Sequence, residues 1–324
     1  MDALVQRSEE PDRVRGPLRR PRRLVPGGTV GVAALSGPVR EEDLSAGISA
    51  LEAFGYRVRV AANVLSRDTL LGLAGDDEER LRGYLSLVED PGVDAILFAR
   101  GGYGLTRLLG RLPTGLLGGT AKLHCGFSDL TALSAFLRER CGLVSVHGPM
   151  VAADLASPLD ELTASWFPAL LEGRAPRRLE VPSAEILVGG RAEGPLVGGC
   201  LSLLASLVGS PWEFDYDGAI LFLEDVGEEA YRIDRMLGTL ASAGRLGRLA
   251  GIITGSMTRV TFGGIEDPER LRRLLLDRFA PLGVPVASGL PFGHAGPNVP
   301  LPVGARVSWD GATRTLSFEE EFLS

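Results

Sequence analysis

Three histidines, three cysteines and one lysine are all that this chain of 324 residues carries of those types, and each scarcity closes off some chemistry. Cys125, Cys141 and Cys200 are an odd number without paired spacing, so neither a disulfide framework nor a zinc ribbon can be read, and a reducing compartment fits. His124, His147 and His294 include no pair at helical ligand spacing, which argues against a metal site. No stretch of about 20 apolar residues is present, so no membrane-spanning helix is expected. Positive charge is outweighed: the formal net charge of -7 opposes affinity for nucleic acid or anionic lipid, since either needs a clustered positive excess. Lys122 is the single lysine, and nearly all other positive charge is arginine. Residues 1–26 are polar and rich in proline and arginine, without the apolar run of a secretory signal. They read as a flexible arm on a cytoplasmic protein. Arg19, Arg20, Arg22 and Arg23 leave a basic docking segment as the alternative.

What is present is a strand and helix rhythm. With 45% hydrophobic and 23% charged residues there is material for a sizeable core, and at roughly 150 residues per domain two domains are expected. The apolar run Thr29 to Leu35 reads as a buried strand, Glu41 to Phe54 as a helix ended by Gly55, and Tyr56 to Ala61 as a second strand. Asp76 to Val88 is the next helix and Ala95 to Ala99 a continuous apolar strand. A helix near Leu105 to Leu109, a short strand at Lys122 to Cys125 and a helix from Asp129 to Arg138 follow. Such alternation implies parallel pairing with right-handed crossovers, hence a doubly wound α/β layer over residues 27–152 with sites at the carboxyl ends of its strands. The proline-rich stretch 153–185 breaks the rhythm and reads as a linker around one helix. Residues 186–324 then form a β/α domain. It opens with turn-rich Gly190 to Gly199 and a helix at Leu201 to Leu207. Strands follow at Ala219 to Glu224 and Ala250 to Thr254, helices at Glu229 to Ala243 and Asp267 to Phe279, and closing strands near Arg306 to Trp309 and Thr315 to Phe318.

Chemistry concentrates in a few turns. Gly126-Phe127-Ser128-Asp129 lies between a buried strand and an amphipathic helix. A serine at that turn projects its hydroxyl from the sheet edge, and the next amide sits at a helix N-terminus. Serine also caps helices, so the tetrapeptide alone leaves both roles open. Leu130 stands where an α/β-hydrolase elbow carries its second glycine, so that label is not supported. A serine nucleophile needs a base, and three histidines are available: His124 in the buried strand ahead of the turn, His147 in a loop before Gly148-Pro149, and His294 in the glycine-rich loop Phe292-Gly293-His294-Ala295-Gly296-Pro297, where a side chain can be held without burial. An exposed loop histidine is its bland alternative. Leu221-Phe222-Leu223-Glu224-Asp225 puts two carboxylates at a strand's carboxyl end, where one can orient an imidazole and the other cap the following helix. Arg100-Gly101-Gly102-Tyr103-Gly104 follows another buried strand, and its glycines let amides approach an oxyanion or phosphate, although a tight turn explains it equally. The Walker lysine and the dinucleotide fingerprint are both missing. Cys125, in an apolar strand, is disfavoured as a nucleophile.

Taken in order, these segments resemble the LD-carboxypeptidase family of serine peptidases, which includes the microcin C self-immunity peptidases. The resemblance runs from about Pro26 to Leu301 and also draws on His147-Gly148-Pro149-Met150, Gly198-Gly199, Gly209-Ser210-Pro211-Trp212, Tyr231 to Leu237, and Gly289-Leu290. It implies Ser128 as nucleophile, His294 as general base and Glu224 as its orienting carboxylate, with an oxyanion hole from the amides of Gly102 and Asp129. It further implies a flavodoxin-like N-terminal layer, a C-terminal β/α domain with the site between them, no metal or organic cofactor, and a homodimer. The implied reaction is release of the C-terminal D-alanine from murein tetrapeptides in cell-wall recycling, with no nucleic-acid or membrane partner. Two positions depart: Cys200 stands where members commonly carry asparagine, and Ser210 replaces a common threonine. His147 is read as structural. Arg100 and Tyr103 are candidate substrate-binding residues, with Arg232 and Glu228 further candidates by proximity to the motifs. Rival readings are an amidase of the microcin-immunity type, which needs an aromatic-lined nucleobase pocket that a chain with 6% aromatic residues is poorly stocked to build, and a muropeptide-binding protein without turnover.

Overall fold

The computed structural model describes residues 13–14 and 16–324. Its first half alternates β1 (Thr29–Ala33), α1 (Glu41–Ala53), β2 (Arg57–Val60), α2 (Asp77–Glu89), β3 (Ala95–Phe98), α3 (Thr114–Thr120), β4 (Leu123–Cys125), α4 (Thr131–Cys141) and β5 (Ser145–His147). These five strands run parallel in the order β2-β1-β3-β4-β5, the flavodoxin-like order in which ligands collect where the strand order reverses. Helices cover both faces, so β1, β3 and β4 are buried at every position and read as unbroken apolar runs, whereas edge strand β2 turns Arg57 and Arg59 to solvent. Helix α2 starts at a full capping box: Asp76 accepts from the Glu79 amide at 2.8 Å, and Glu79 accepts from the Asp76 amide at 2.9 Å. Such a cap contributes about 1 kcal/mol. The helix expected near Leu105 is instead two 3-10 turns, Leu105–Arg107 and Leu109–Arg111, because Pro113 disfavours helical backbone at Leu112 and cuts the segment short.

The second half contains α5 (Glu161–Leu171), β6 (Arg178–Glu180), β7 (Glu185–Val188), β8 (Arg191–Cys200), α6 (Leu201–Leu207), β9 (Ile220–Val226), α7 (Ala230–Ser242), β10 (Gly251–Thr258), α8 (Pro268–Phe279), β11 (Val286–Ser288), β12 (Leu301–Val303), β13 (Arg306–Asp310) and β14 (Thr315–Phe318). Its sheet runs β6-β14-β13-β8-β9-β10-β11-β7, with β8 to β11 parallel and the flanking strands antiparallel. The segment expected to be turn-rich is therefore the ten-residue strand β8. Its glycines serve close approach: a Cβ on Gly198 would stand 1.9 Å from the Phe222 carbonyl oxygen, and one on Gly199 would stand 2.4 Å from Thr131 Oγ1.

The halves are stitched together. Strand β12 leaves the second half and pairs antiparallel with β5, Leu301 opposite His147 and Val303 opposite Ser145. Helix α5, in the proline-rich stretch, packs Phe167 on Phe54, just past α1, and Trp166 on Phe318 of β14. The expected free arm needs correction where it is described; residues 1–12 and 15 lie outside the described residues. Arg19 donates its amide to the Gly142 carbonyl at 2.6 Å and Leu24 to that of Leu171 at 2.9 Å, and Leu24 is buried. Buried Pro21 and Leu24 thus seat an arginine-rich strap. No helix among the described residues is long and apolar enough to cross a membrane.

Candidate active site

The turn after β4 is strained at one residue. Ser128 has φ of 64°, a left-handed conformation that costs a non-glycine residue roughly 1 to 2 kcal/mol and persists only where the surroundings impose it. Here they do. The Gly126 amide donates to the Val146 carbonyl at 3.0 Å, and the Leu130 amide closes the 3-10 turn Ser128–Leu130 onto the Phe127 carbonyl at 3.2 Å. Asp129 is buried, its carboxylate accepting from Ser36 Oγ at 2.5 Å and from the Leu105 amide at 3.0 Å. Burial pushes this carboxyl's pKa up, and those two hydrogen bonds pull it back toward the charged form. Sequence reading gave Asp129 only its backbone amide. The side chain in fact ties the serine turn to the Arg100–Gly104 turn, which the fully buried Arg80 supports from beneath through the carbonyls of Leu35 and Gly104.

Gly101 faces the serine directly. A Cβ there would lie 2.8 Å from Ser128 Cβ and 3.0 Å from its Oγ, so only glycine lets the two turns meet. Gly102 follows with φ of 117°. Neither the Gly102 amide nor the Asp129 amide donates to an acceptor among the described residues. Substitution Gly101→Ala should displace the serine and lower kcat by about tenfold to a hundredfold. Steady-state kinetics beside a thermal melt would separate this local displacement from unfolding. Arg100 and Tyr103 are exposed, Arg100 donating to the Pro38 carbonyl at 3.3 Å and Tyr103 making no hydrogen bond among the described residues.

From the other half, Glu224 lies near the carboxyl end of β9, buried like Asp225 after it, and His294 sits in the loop after β11. The His294 Nδ1 to Glu224 Oε2 distance is 2.5 Å. Glu224 is wholly buried, so desolvation raises its pKa, opposed by the hydrogen bond and charge of His294. For His294, burial works against protonation. The hydrogen bond and charge of Glu224, with the charges of Asp225 and Asp154, outweigh it, and the imidazole pKa is raised above its ordinary 6.5. Asp225 turns the other way and holds the amides of Ser202 at 2.8 Å and Val226 at 2.7 Å, which fixes the start of α6. Glu228 and Arg232 pair loosely with each other at 3.7 Å and reach none of these groups by hydrogen bond.

Contacts between the halves close a ring. Thr131, three residues after the serine, accepts the Cys200 amide at 3.0 Å; Cys200 lies opposite Glu224 in the β8 to β9 pairing. Glu224 holds His294, and the His294 ring meets Phe127 edge-on with centroids 4.8 Å apart, one residue from Ser128. Ser128 Oγ makes no hydrogen bond among the described residues. The remaining histidines are not exposed bases. His124 bonds Tyr84 and is held down to about 4, and His147, boxed by Phe127, Phe222 and Phe292, is held to about 3, in both cases chiefly by burial. Burial also pushes the Cys125 and Cys200 thiols well up, away from thiolate. Among the described residues no three His, Cys, Asp or Glu side chains converge as a metal site would need.

Residues 30–148 match the model of the LD-carboxypeptidase N-terminal domain and residues 193–308 that of the LD-carboxypeptidase C-terminal domain. A Streptomyces coelicolor protein is 41% identical over 94% of this chain and 98% of its own length. The chain belongs to the LD-carboxypeptidase family. Another relative, the murein tetrapeptide carboxypeptidase of Pseudomonas aeruginosa, is 32% identical over 88% of this chain and 94% of its own. The fold is shared with MccF solved in complex with glutamyl sulfamoyl guanosine, with a TM-score of 0.87 at 22% identity, covering 95% of this chain and 100% of that one.

Against that family pattern, Glu224 and His294 are in direct contact, and Ser128 is joined to them through Phe127 and Thr131. Arg100 and Tyr103 are not hydrogen-bonded to any of the three. Sequence reading gave no role to Ser36 or Thr131, whose contacts with Asp129 and Cys200 span long sequence separations that leave no local pattern.

Proposed function

We propose that this LD-carboxypeptidase is a serine peptidase that hydrolyses the bond between an L-centre and the C-terminal D-alanine of murein tetrapeptides. The ring of contacts running Ser128, Thr131, Cys200, Glu224, His294 and Phe127 carries this reading. In the proposed reaction Ser128 Oγ attacks the scissile carbonyl carbon while His294 Nε2 takes its proton. Glu224 accepts from Nδ1–H, holding the tautomer that leaves Nε2 free and stabilising the imidazolium. Negative charge on the tetrahedral oxygen is met by the amides of Gly102 and Asp129. His294 returns the proton to the leaving amine, D-alanine departs, and water, deprotonated by the same imidazole, frees the tripeptide from the acyl-serine. No step calls for a metal or organic cofactor. A cytoplasmic homodimer acting in cell-wall recycling is the setting we propose.

Purified protein incubated with a diaminopimelate-containing tetrapeptide is expected to release free D-alanine, measured by amino-acid analysis. Intact tetrapeptide after prolonged incubation with folded protein would sink the reading. A nucleotide-linked aminoacyl sulfamate, run in parallel, should be cleaved far more slowly. The reverse preference would move the protein to the microcin-immunity type.

A further inference from the structure

Strand β10 is irregular at one place, and that place faces the site. Thr254 lies opposite Leu223 and Met257 opposite Asp225, so β10 sets two residues, Gly255 and Ser256, against the single Glu224 of β9. A bulge of this kind bends its strand and re-aims a side chain. Both bulge residues meet the histidine loop. A Cβ on Gly255 would stand 2.3 Å from the Phe292 carbonyl oxygen and 2.4 Å from the Phe292 ring, so only glycine fits there. Ser256 grips the chain on both sides of His294: its amide donates to the Phe292 carbonyl at 2.8 Å, and its Oγ accepts from the Ala295 amide at 3.2 Å. Between these contacts runs Gly293, with φ of 109°. A Cβ on it would lie 2.5 Å from Ser256 Oγ and 3.0 Å from Glu224 Oε2, the oxygen that meets His294 Nδ1. The serine hydroxyl and the buried carboxylate thus border the same side of one glycine, next to the histidine.

We propose that Ser256 is a positioning residue for His294: from the bulge opposite Glu224 it fixes the backbone on either side of the histidine and so sets the imidazole in register with its carboxylate. The inference rests on the reading of His294 as a general base oriented by Glu224. Other contacts hold the loop at different points. The Leu290 amide donates to the Thr254 carbonyl at 3.0 Å, and the Gly293 amide to Asn298 Oδ1, farther along the same loop, at 3.1 Å. Past the histidine, the Ala295 amide has Ser256 Oγ as its acceptor among the described residues.

The tautomer of His294 reads this positioning with no substrate present. An acceptor at Nδ1 selects the ring with its proton there, whereas a free neutral imidazole carries it mainly on Nε2. Long-range proton-nitrogen NMR correlation in the full chain at alkaline pH gives the shifts of both ring nitrogens, and the spectrum of His294→Ala assigns them. Wild type should show the form protonated on Nδ1. Ser256→Ala removes the acceptor for the Ala295 amide and leaves the amide contact to Phe292. Its His294 should shift toward the form protonated on Nε2, and kcat for D-alanine release should fall about tenfold with little change in KM. Ser256→Thr, which keeps the hydroxyl, should keep the wild-type tautomer. An unmoved tautomer in folded Ser256→Ala overturns the proposal whatever kcat does, because a serine that served stability alone would change the melting temperature and leave the ring as it was. Should that variant fail to fold, Ser256→Gly carries the same test. A wild type protonated on Nε2 would defeat the orienting role of Glu224 and this proposal with it. A wild type protonated on Nδ1 that left tetrapeptide intact would defeat the proposed substrate, and Ser256→Ala would still give an answer on Ser256.

Discussion

Ser128→Ala is expected to abolish tetrapeptide hydrolysis, a fall in kcat of roughly 10⁴-fold or more, because removal of a nucleophile disables base and nucleophile together. The fold should be untouched, since Ser128 Oγ makes no hydrogen bond among the described residues and alanine adopts the same backbone no less easily. A companion substitution separates chemistry from stability. Ser128→Gly should be equally inactive yet more stable by about 1 kcal/mol, because glycine adopts φ of 64° without steric cost. Thermal melts beside D-alanine release would read both. If Ser128→Gly melted no higher than wild type, the surroundings would not be holding the serine against a backbone preference.

Glu224→Gln carries the second large effect, a drop in kcat of roughly 10³-fold to 10⁴-fold. The amide nitrogen of glutamine can donate to the imidazole and stabilise the tautomer with its proton on Nε2, where it cannot accept from serine. The pH profile should change as well. A base works in its neutral form, so kcat/KM climbs as pH rises through the His294 pKa, which lies above 6.5 in the folded protein. Without the Glu224 charge that pKa falls, and the acid limb moves to lower pH while the plateau collapses. Stability follows the same linkage: protonated His294 stabilises the wild-type fold below the unfolded-state pKa, and that contribution is lost as pH rises through the folded value. Glu224→Gln should flatten this dependence, as checked by urea unfolding on both sides of neutrality. An unchanged acid limb would mean that some other group sets it.

Much of this fold was legible because its parallel strands are buried on both faces and so appear as unbroken apolar runs, and because charged residues and glycines punctuate its helices. Helix α6 was read to the residue. The failures share one cause. Glycine carries two meanings, a turn or a close approach, and the sequence does not say which; in β8 it meant approach to β9 and to Thr131, so a ten-residue strand looked like a loop. Short strands such as β6 and β12 exist only through partners distant in sequence and have no pattern of their own. At the site, Ser128 and Glu224 stood at strand ends where chemistry is expected, and His294 in a glycine-rich loop. Asp129, by contrast, displayed an amide to sequence reading while its carboxylate did the anchoring.

The pairing of β12 with β5 bears on the order of events during synthesis. A nascent chain that has released the first 150 or so residues can lay down the five parallel strands, but the outer edge at β5 stays bare until residue 303 emerges. His294 arrives just before that closing strand. In the proposed reading the serine half is therefore made early, and its base arrives only as the β5 edge is sealed. A ribosome stalled before β12 would hold a sheet with an open flank and no working peptidase, so premature termination there should yield an aggregation-prone fragment and no rogue hydrolase.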